Sequence, residues 1–201
     1  IPGKIARGES GQIAIDHYHL WNEDIAIMKE SGVNSYRFST AWARMFPDGT
    51  LNSRNQKRFD FYNKLIDELL ANKIKPLVTL FHWDLPQALQ DKGGWAERNT
   101  AIRFGEYATL VVNQFKDLVH NWITINEAWC VSFLGYEWGV QAPGVQDVRQ
   151  ATRAIHHVLL GHGLAMKGIR DVAPNVNAGI TNHLVNVNPK SDSAEDAHAA
   201  F

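Results

Sequence analysis

At 201 residues, 45% of them hydrophobic and 20% charged, the chain can bury a substantial core and has the makeup of an ordinary globular protein. A formal net charge of −1 excludes the broad positive field that binding to nucleic acid or an anionic membrane calls for, and no apolar run is long enough to span a bilayer. Cys130 is the single cysteine, so no disulfide can form within the chain; this fits a reducing, cytoplasmic setting, with Cys130 read as a small buried hydrophobe.

The sequence opens Ile1-Pro2-Gly3-Lys4, with neither an initiator methionine nor a signal peptide, and reads as the interior of a longer chain. A short helix over about residues 22–31 is expected first, with Gly32 placed to cap its C-terminus. The run YRFSTAW (36–42) then reads as a strand. Phe59, Tyr62, Leu65, Ile66, Leu69 and Leu70 form one apolar stripe of helical period. PLVTLFHW (76–83) is the second strand, and Asp84 after it reads as the N-cap of a short helix with Pro86 near its start. A second stripe, Phe104, Tyr107, Ala108, Val111 and Phe115, precedes the third strand, NWITINE (121–127). A third stripe runs Ile155, Val158, Leu159, His162, Ala165, Met166, Ile169, followed by the strand AGITNHL (178–184). Asp192 with Glu195 fits a capping box that opens a last helix.

Strand and helix alternating in this way predict βαβ units and a parallel sheet, and no Gly-, Pro- or Ser-rich linker divides the chain, so residues 1–201 are expected to form one domain. A doubly wound sheet would carry a Gly-rich first βα turn, which is absent. Polar and aromatic residues gather instead at strand C-termini: Ser39 and Trp42, His82 and Trp83, Asn126 and Glu127, Asn182 and His183. That distribution predicts an α/β fold of the (β/α)8 TIM barrel type. Such a barrel needs eight strands and about 250 residues, so about four βα units are expected here, incomplete at both ends.

The segments YRFSTAWARMFPDG, PLVTLFHWDLPQALQDKGGW, WITINEAW and FLGYEWGVQAPG, in this order and spacing, resemble family 1 glycoside hydrolases, the β-glucosidase family. The resemblance runs through essentially the whole chain and implies strands two to five of the family's barrel. It implies a retaining β-glycosidase acting on terminal β-linked glucose, galactose or fucose without metal or cofactor. Glu127 takes the place of the general acid/base, which a partly apolar, aromatic-walled pocket would keep protonated near neutral pH. Asn126 would bond the sugar's 2-hydroxyl, His82 and Trp83 would hold the glycone, Trp129 would face the leaving group, and Arg37 would sit near the nucleophile. Read without the resemblance, Glu127 would be a strand-end carboxylate paired with an arginine, Arg37 one member of a buried ion pair holding the sheet, and His82 and Trp83 core residues.

Four departures from the family pattern matter. Ala128 stands where proline is usual after the acid/base, and Lys116 where glycine ends a helix, at a cost of about 1 kcal/mol if that position needs positive φ. His183 occupies the position of an asparagine. Above all, the seventh-strand Thr-Glu-Asn-Gly motif with the nucleophilic glutamate is absent, as is the glycone-clamping glutamine of the first strand. The chain alone is therefore expected to be inactive, and to self-associate or pair with a complementary barrel half. Two alternatives stand: a non-catalytic sugar-binding or assembly fragment, and an endo-acting xylanase or cellulase on the same barrel. DHYH (16–19) and the histidines at 156, 157 and 162 lack a converging ligand set, so no metal site is expected.

Overall fold

The computed structural model describes residues 5–11 and 13–200, so the Ile1–Lys4 opening lies outside the described residues. A 3₁₀ turn (Ala6–Gly8) leads into α1 (His17–Glu30), β1 (Ser35–Ser39), α2 (Trp42–Met45), α3 (Gln56–Ala71), β2 (Lys75–Phe81), α4 (Gln87–Gln90), α5 (Arg98–Phe115), β3 (Asn121–Asn126), α6 (Val148–Val172), β4 (Asn177–Thr181) and α7 (Ala194–Ala200). The strands pair in parallel in the order β1-β2-β3-β4, with Ser35 beside Lys75, Leu77 beside Asn121 and Asn121 beside Asn177. Four parallel strands alternating with helices make an incomplete (β/α)8 barrel of about four βα units.

Local chemistry accounts for several of these boundaries. Gly32 (φ 75) closes α1 in a Schellman arrangement: its N–H donates to Lys29 O at 3.1 Å, and the Val33 N–H donates to Met28 O at 3.0 Å. Asp147 caps α6, its carboxylate accepting the N–H of Arg149 at 2.8 Å and of Gln150 at 3.3 Å, which also holds its pKa below the usual carboxylate range. Lys116 adopts φ −56 at the end of α5, so no left-handed residue is needed there, and its Nζ donates to Val172 O at 3.2 Å.

Other expectations are corrected. The first strand ends at Ser39 rather than 42, because α2 begins at Trp42; that indole is fully buried, stacked on Tyr107 at 5.1 Å, and belongs to the core instead of the strand-end surface. Likewise β2 stops at Phe81 and β4 at Thr181, leaving His82, Trp83, Asn182 and His183 on the loops beyond. Asp84 does not cap α4, which starts after Pro86 with no side-chain cap. The last helix is opened by Ser193, whose Oγ accepts the Asp196 N–H at 3.1 Å, so Asp192 and Glu195 do not form the capping box. Leu70 and Leu159 face outward.

The α6 stripe is shifted because α5 and α6 approach closely. The buried positions are Ala151, Ala154, His157, Val158, Gly161, Ala165 and Ile169, mostly small residues. A Cβ at Gly105 would lie 2.9 Å from Leu164 Cβ, and one at Gly168 would collide with Thr109 Oγ1. Trp42, Phe81, Trp95, Phe104 and Tyr107 pack edge-on and stacked behind the strand ends; each such ring contributes roughly 1.5–3 kcal/mol by leaving water. This aromatic plug gives the loops after β1 and β2 a rigid floor.

Candidate active site at the strand exits

The C-terminal exits of β1, β2 and β3 converge on one polar cluster. Arg37, on β1, donates from Nη2 to Asn126 Oδ1 at 2.5 Å and from Nε to Thr79 Oγ1 at 3.0 Å, so one guanidinium ties three neighbouring strands. Asn126 is buried, and with its oxygen engaged by Arg37 its amide N–H groups are left to serve another acceptor. Trp83 Nε1 donates to the backbone carbonyl of Asn126 at 2.9 Å, fixing the indole across the exit of β3. Ser39 Oγ lies 3.3 Å from His82 Nδ1, and the His82 and Trp83 rings meet edge-on at 5.2 Å. Burial, and then the Arg37 charge, lower the pKa of His82, while the Glu127 carboxylate works the other way. The three residues therefore share one electrostatic neighbourhood.

Glu127 leaves the strand at φ 51, a left-handed conformation rare outside glycine, and Trp83 does the same at φ 78. Such backbone strain clusters where the surrounding structure over-determines a residue's orientation. Here the Glu127 N–H is held by Thr181 O at 2.8 Å, so β4 fixes the turn that presents the carboxylate. Cys130 lies one turn on, in a π-type turn spanning Cys130–Leu134. Burial and then a hydrogen bond to Glu127 push the Cys130 thiol up to about 11, so it faces the carboxylate as a neutral group. Its sequence reading as a small buried hydrophobe describes its burial but misses this neighbour.

A second, aromatic group flanks the first. Trp129 stacks on Phe133 at 5.6 Å and on His183 at 5.7 Å, and Trp138 meets it edge-on at 5.5 Å. Trp129 and Trp138 keep 38% and 51% of their surface exposed, enough to offer an apolar face to a ligand. A cavity of ≈ 320 Å³ opens beside Trp129, His183 and Val185. Thus Arg37, His82, Trp83, Asn126 and Glu127 gather in one cluster, and Trp129 belongs to the adjoining aromatic wall. Sequence reasoning did not single out Thr79 or Trp138. Thr79 is masked by its place inside an apolar run, while Trp138 stands in a quoted motif where its spacing from Trp129 was the available signal.

Four histidines outside the cluster have structural partners: His17 with Asp24 at 2.5 Å, His19 with Asp16 at 2.7 Å, His157 with Trp95 O at 3.0 Å and His162 with Thr124 Oγ1 at 2.8 Å. A larger cavity, ≈ 610 Å³, lies between α5 and α6 on the helical side. No strand-exit residue reaches it, and strand exits are where barrels of this kind place chemistry. Among the described residues, no helix is long and apolar enough to cross a membrane.

Comparison with known proteins agrees with this geometry. The family model described as glycosyl hydrolase family 1 matches residues 1–201. Beta-glucosidase A of Acetivibrio thermocellus is 48% identical over 199 residues, covering 99% of this chain and 44% of the relative. Beta-glucosidase A of Thermotoga maritima is 46% identical over 198 residues, covering 98% of this chain and 44% of the relative. The solved structure of the Thermotoga maritima beta-glucosidase in complex with glucoimidazole superposes with a TM-score of 0.96 at 46% identity, covering 99% of this chain and 45% of that one. The chain spans less than half the length of these curated relatives. With the family model matched from end to end and relatives this similar, the chain belongs to glycosyl hydrolase family 1.

Proposed function

We propose that the chain is the acid/base half of a retaining β-glycosidase active site, acting on terminal β-linked glucose or a similar sugar. The observation that carries this reading is the Arg37–Asn126 bond at 2.5 Å, which turns an amide outward immediately before Glu127. Glycoside cleavage needs a carboxyl that protonates the leaving oxygen while oxocarbenium-like charge grows on the sugar. Glu127 is the residue for that proton. Asn126, pinned through its oxygen, offers N–H groups to a sugar hydroxyl, and a bond that tightens in the transition state accelerates the reaction. His82 and Trp83 supply a polar ring edge and an indole face, which suit the hydroxyl rim and C–H faces of a pyranose. Trp129 and Trp138 suit the leaving-group side. Retention requires a second carboxylate about 5 Å from the first, which would come from the part of the barrel beyond this chain.

The names of the relatives support β-glucosidase activity above the endo-acting alternative. The deciding experiment uses a completed barrel, this chain joined at both ends to the segments of the Thermotoga maritima relative that it does not cover, assayed against cellobiose, xylan and cellulose. Cellobiose hydrolysis with little action on the polymers is expected. Preference for a polymer would overturn the β-glucosidase reading, and no hydrolysis by a folded, monodisperse barrel would favour the non-catalytic fragment. The 201-residue chain alone, without the Thr-Glu-Asn-Gly motif that bears the nucleophile, is expected to leave aryl β-glucosides intact.

A further inference from the structure

The loop bearing His82 and Trp83 runs straight into a buried carboxyl that no step above uses. Asp84 Oδ1 is sealed from solvent with no hydrogen-bond partner among the described residues. The backbone N–H groups of Asp84, His82 and Trp42 face the carboxyl; two of these donors belong to the exit of β2 and the third to the exit of β1. Buried phenols meet the same exits, Tyr62 that of β1 and Tyr107 both. Tyr62 Oη accepts the Ala41 N–H at 2.8 Å, and Tyr107 Oη lies 2.7 Å from Thr40 Oγ1 and donates to Leu80 O at 3.0 Å. The Asp84 charge helps to raise both phenols, while Arg44 on α2 is the cation facing Asp84. On its other side Asp84 lines a cavity of ≈ 370 Å³ with Trp83, Gln87, Gln90, Trp95 and Tyr136. Trp95 Nε1 is also buried there without a partner. Polar lining, room and two unpaired groups are the conditions under which proteins hold internal water.

We propose that Asp84 is a positioning residue, whose carboxyl clamps the exit of β1 to the exit of β2 and so sets His82 and Trp83 for the sugar. The sugar-facing half of this statement rests on the glycosidase reading; the clamp itself does not. The clamp needs acceptor oxygen, not negative charge. Burial pushes the Asp84 carboxyl up to about 7, with the facing N–H donors and Arg44 only partly offsetting it, so the neutral acid is well populated at neutral pH. A neutral carboxyl still offers a carbonyl oxygen to the N–H donors and an O–H to cavity water. Asparagine keeps that shape and acceptor; alanine keeps neither.

Hydrogen exchange by mass spectrometry on the 201-residue chain, with kinetics in the completed barrel, tests both halves. Asp84→Ala should lower protection of the segments around 40–44 and 81–86 by about ten-fold, one lost hydrogen bond's worth, while the rest of the chain keeps its protection. Asp84→Asn should stay within about two-fold of wild type. In the barrel, Asp84→Ala should raise KM for cellobiose and methyl glucoside alike by about ten-fold, and Asp84→Asn should restore it. Unchanged exchange in Asp84→Ala, or Asp84→Asn as damaging as Asp84→Ala, would overturn the clamp. Should Asp84→Ala fail to fold, Asp84→Asn decides alone, since loss of local protection there shows that charge is required. Exchange behaving as expected in a barrel without hydrolysis would retain the clamp and refute the glycosidase reading.

Discussion

The two outer strands of the sheet, β1 and β4, each have one strand neighbour among the described residues, yet their exits differ sharply. Beyond β1 the chain turns directly into α2 and is held by Tyr62, Tyr107 and the Arg37 bridge to β3. Beyond β4 residues 182–193 form no regular element, and Leu184, Val185 and Val187 stand 87%, 66% and 57% exposed. Having a single sheet partner does not explain the contrast. What β1 has and β4 lacks is a set of phenols and a buried carboxyl arriving from neighbouring elements, and a guanidinium of its own, Arg37, that reaches β2 and β3. Parallel strands are ordinarily covered on both faces, and exposed apolar runs mark surfaces meant for a partner. The exit of β4 therefore leaves an apolar run in contact with water, whereas the exit of β1 is tied down by its neighbours.

The sharpest test of that contrast is chemical. In the completed barrel, Glu127→Gly should nearly abolish cellobiose cleavage while dinitrophenyl glucoside, whose leaving group needs little proton assistance, loses far less in its first step. Added azide should restore turnover as a glycosyl azide, seen by product analysis; cellobiose hydrolysis within a few-fold of wild type would remove Glu127 from the role. Next in size is Arg37→Met. It strips Asn126 Oδ1 and Thr79 Oγ1 of a charged donor and should lower unfolding stability by about 1.5–3 kcal/mol, measured in urea.

A pH titration probes the same built side. Burial pushes the Asp84 carboxyl up to about 7 from an ordinary 3.8, so the folded state holds its proton where the unfolded state has lost it. Its favourable contribution is complete below about pH 4 and fades as pH rises towards about 7, with a slope of up to ~1.4 kcal/mol per pH unit. Asp84→Asn should flatten the urea-derived stability in that window, and an unchanged slope would mean that the carboxyl titrates normally. Trp129 straddles the two sides through His183. Trp129→Ala should raise KM a few-fold for aryl or extended aglycones and less for methyl glucoside; equal effects would reduce Trp129 to packing. The smallest expected change lies on the bare side. Replacing Leu184, Val185 and Val187 with serine should move stability by less than about 0.5 kcal/mol per site, yet reduce self-association of the chain in light scattering. A large loss of stability would show that this exit is already packed.

Element type was legible in the sequence because the apolar period is strong: Phe59 through Leu69 and Phe104 through Phe115 are buried as their spacing demands. Strand ends were less so. YRFSTAW alternates up to Trp42, but α2 takes over before that residue, and nothing in the period signals that the indole will fall into an aromatic core. The α6 stripe was misjudged at Leu159 because alanines and glycines, not leucines, face α5 where the helices nearly touch. At the site, Asn126 and Glu127 stood out because a strand rarely ends in an amide and an acid. The roles of Asp84 and Cys130 were hidden. A cap reading and a buried-hydrophobe reading satisfy the local pattern, and only three-dimensional neighbours, backbone donors for one and Glu127 for the other, distinguish them.

The strand order itself bears on how such a chain comes off the ribosome. Each strand pairs with the one made just before it, Ser35 with Lys75, Leu77 with Asn121 and Asn121 with Asn177, so no pairing waits for a distant segment. At translation speeds of about 5–20 residues per second, each new strand is completed roughly 2–11 seconds after its partner, while closing the intervening loop takes far less than a millisecond. Synthesis, not chain diffusion, then paces assembly. Arg37 would wait with its donors turned to water until Thr79 and then Asn126 are delivered to it in sequence. The polar cluster is thus completed in the order in which its residues are translated, and the nascent β4 is the last described strand to arrive, its Thr181 O then taking the backbone N–H of Glu127.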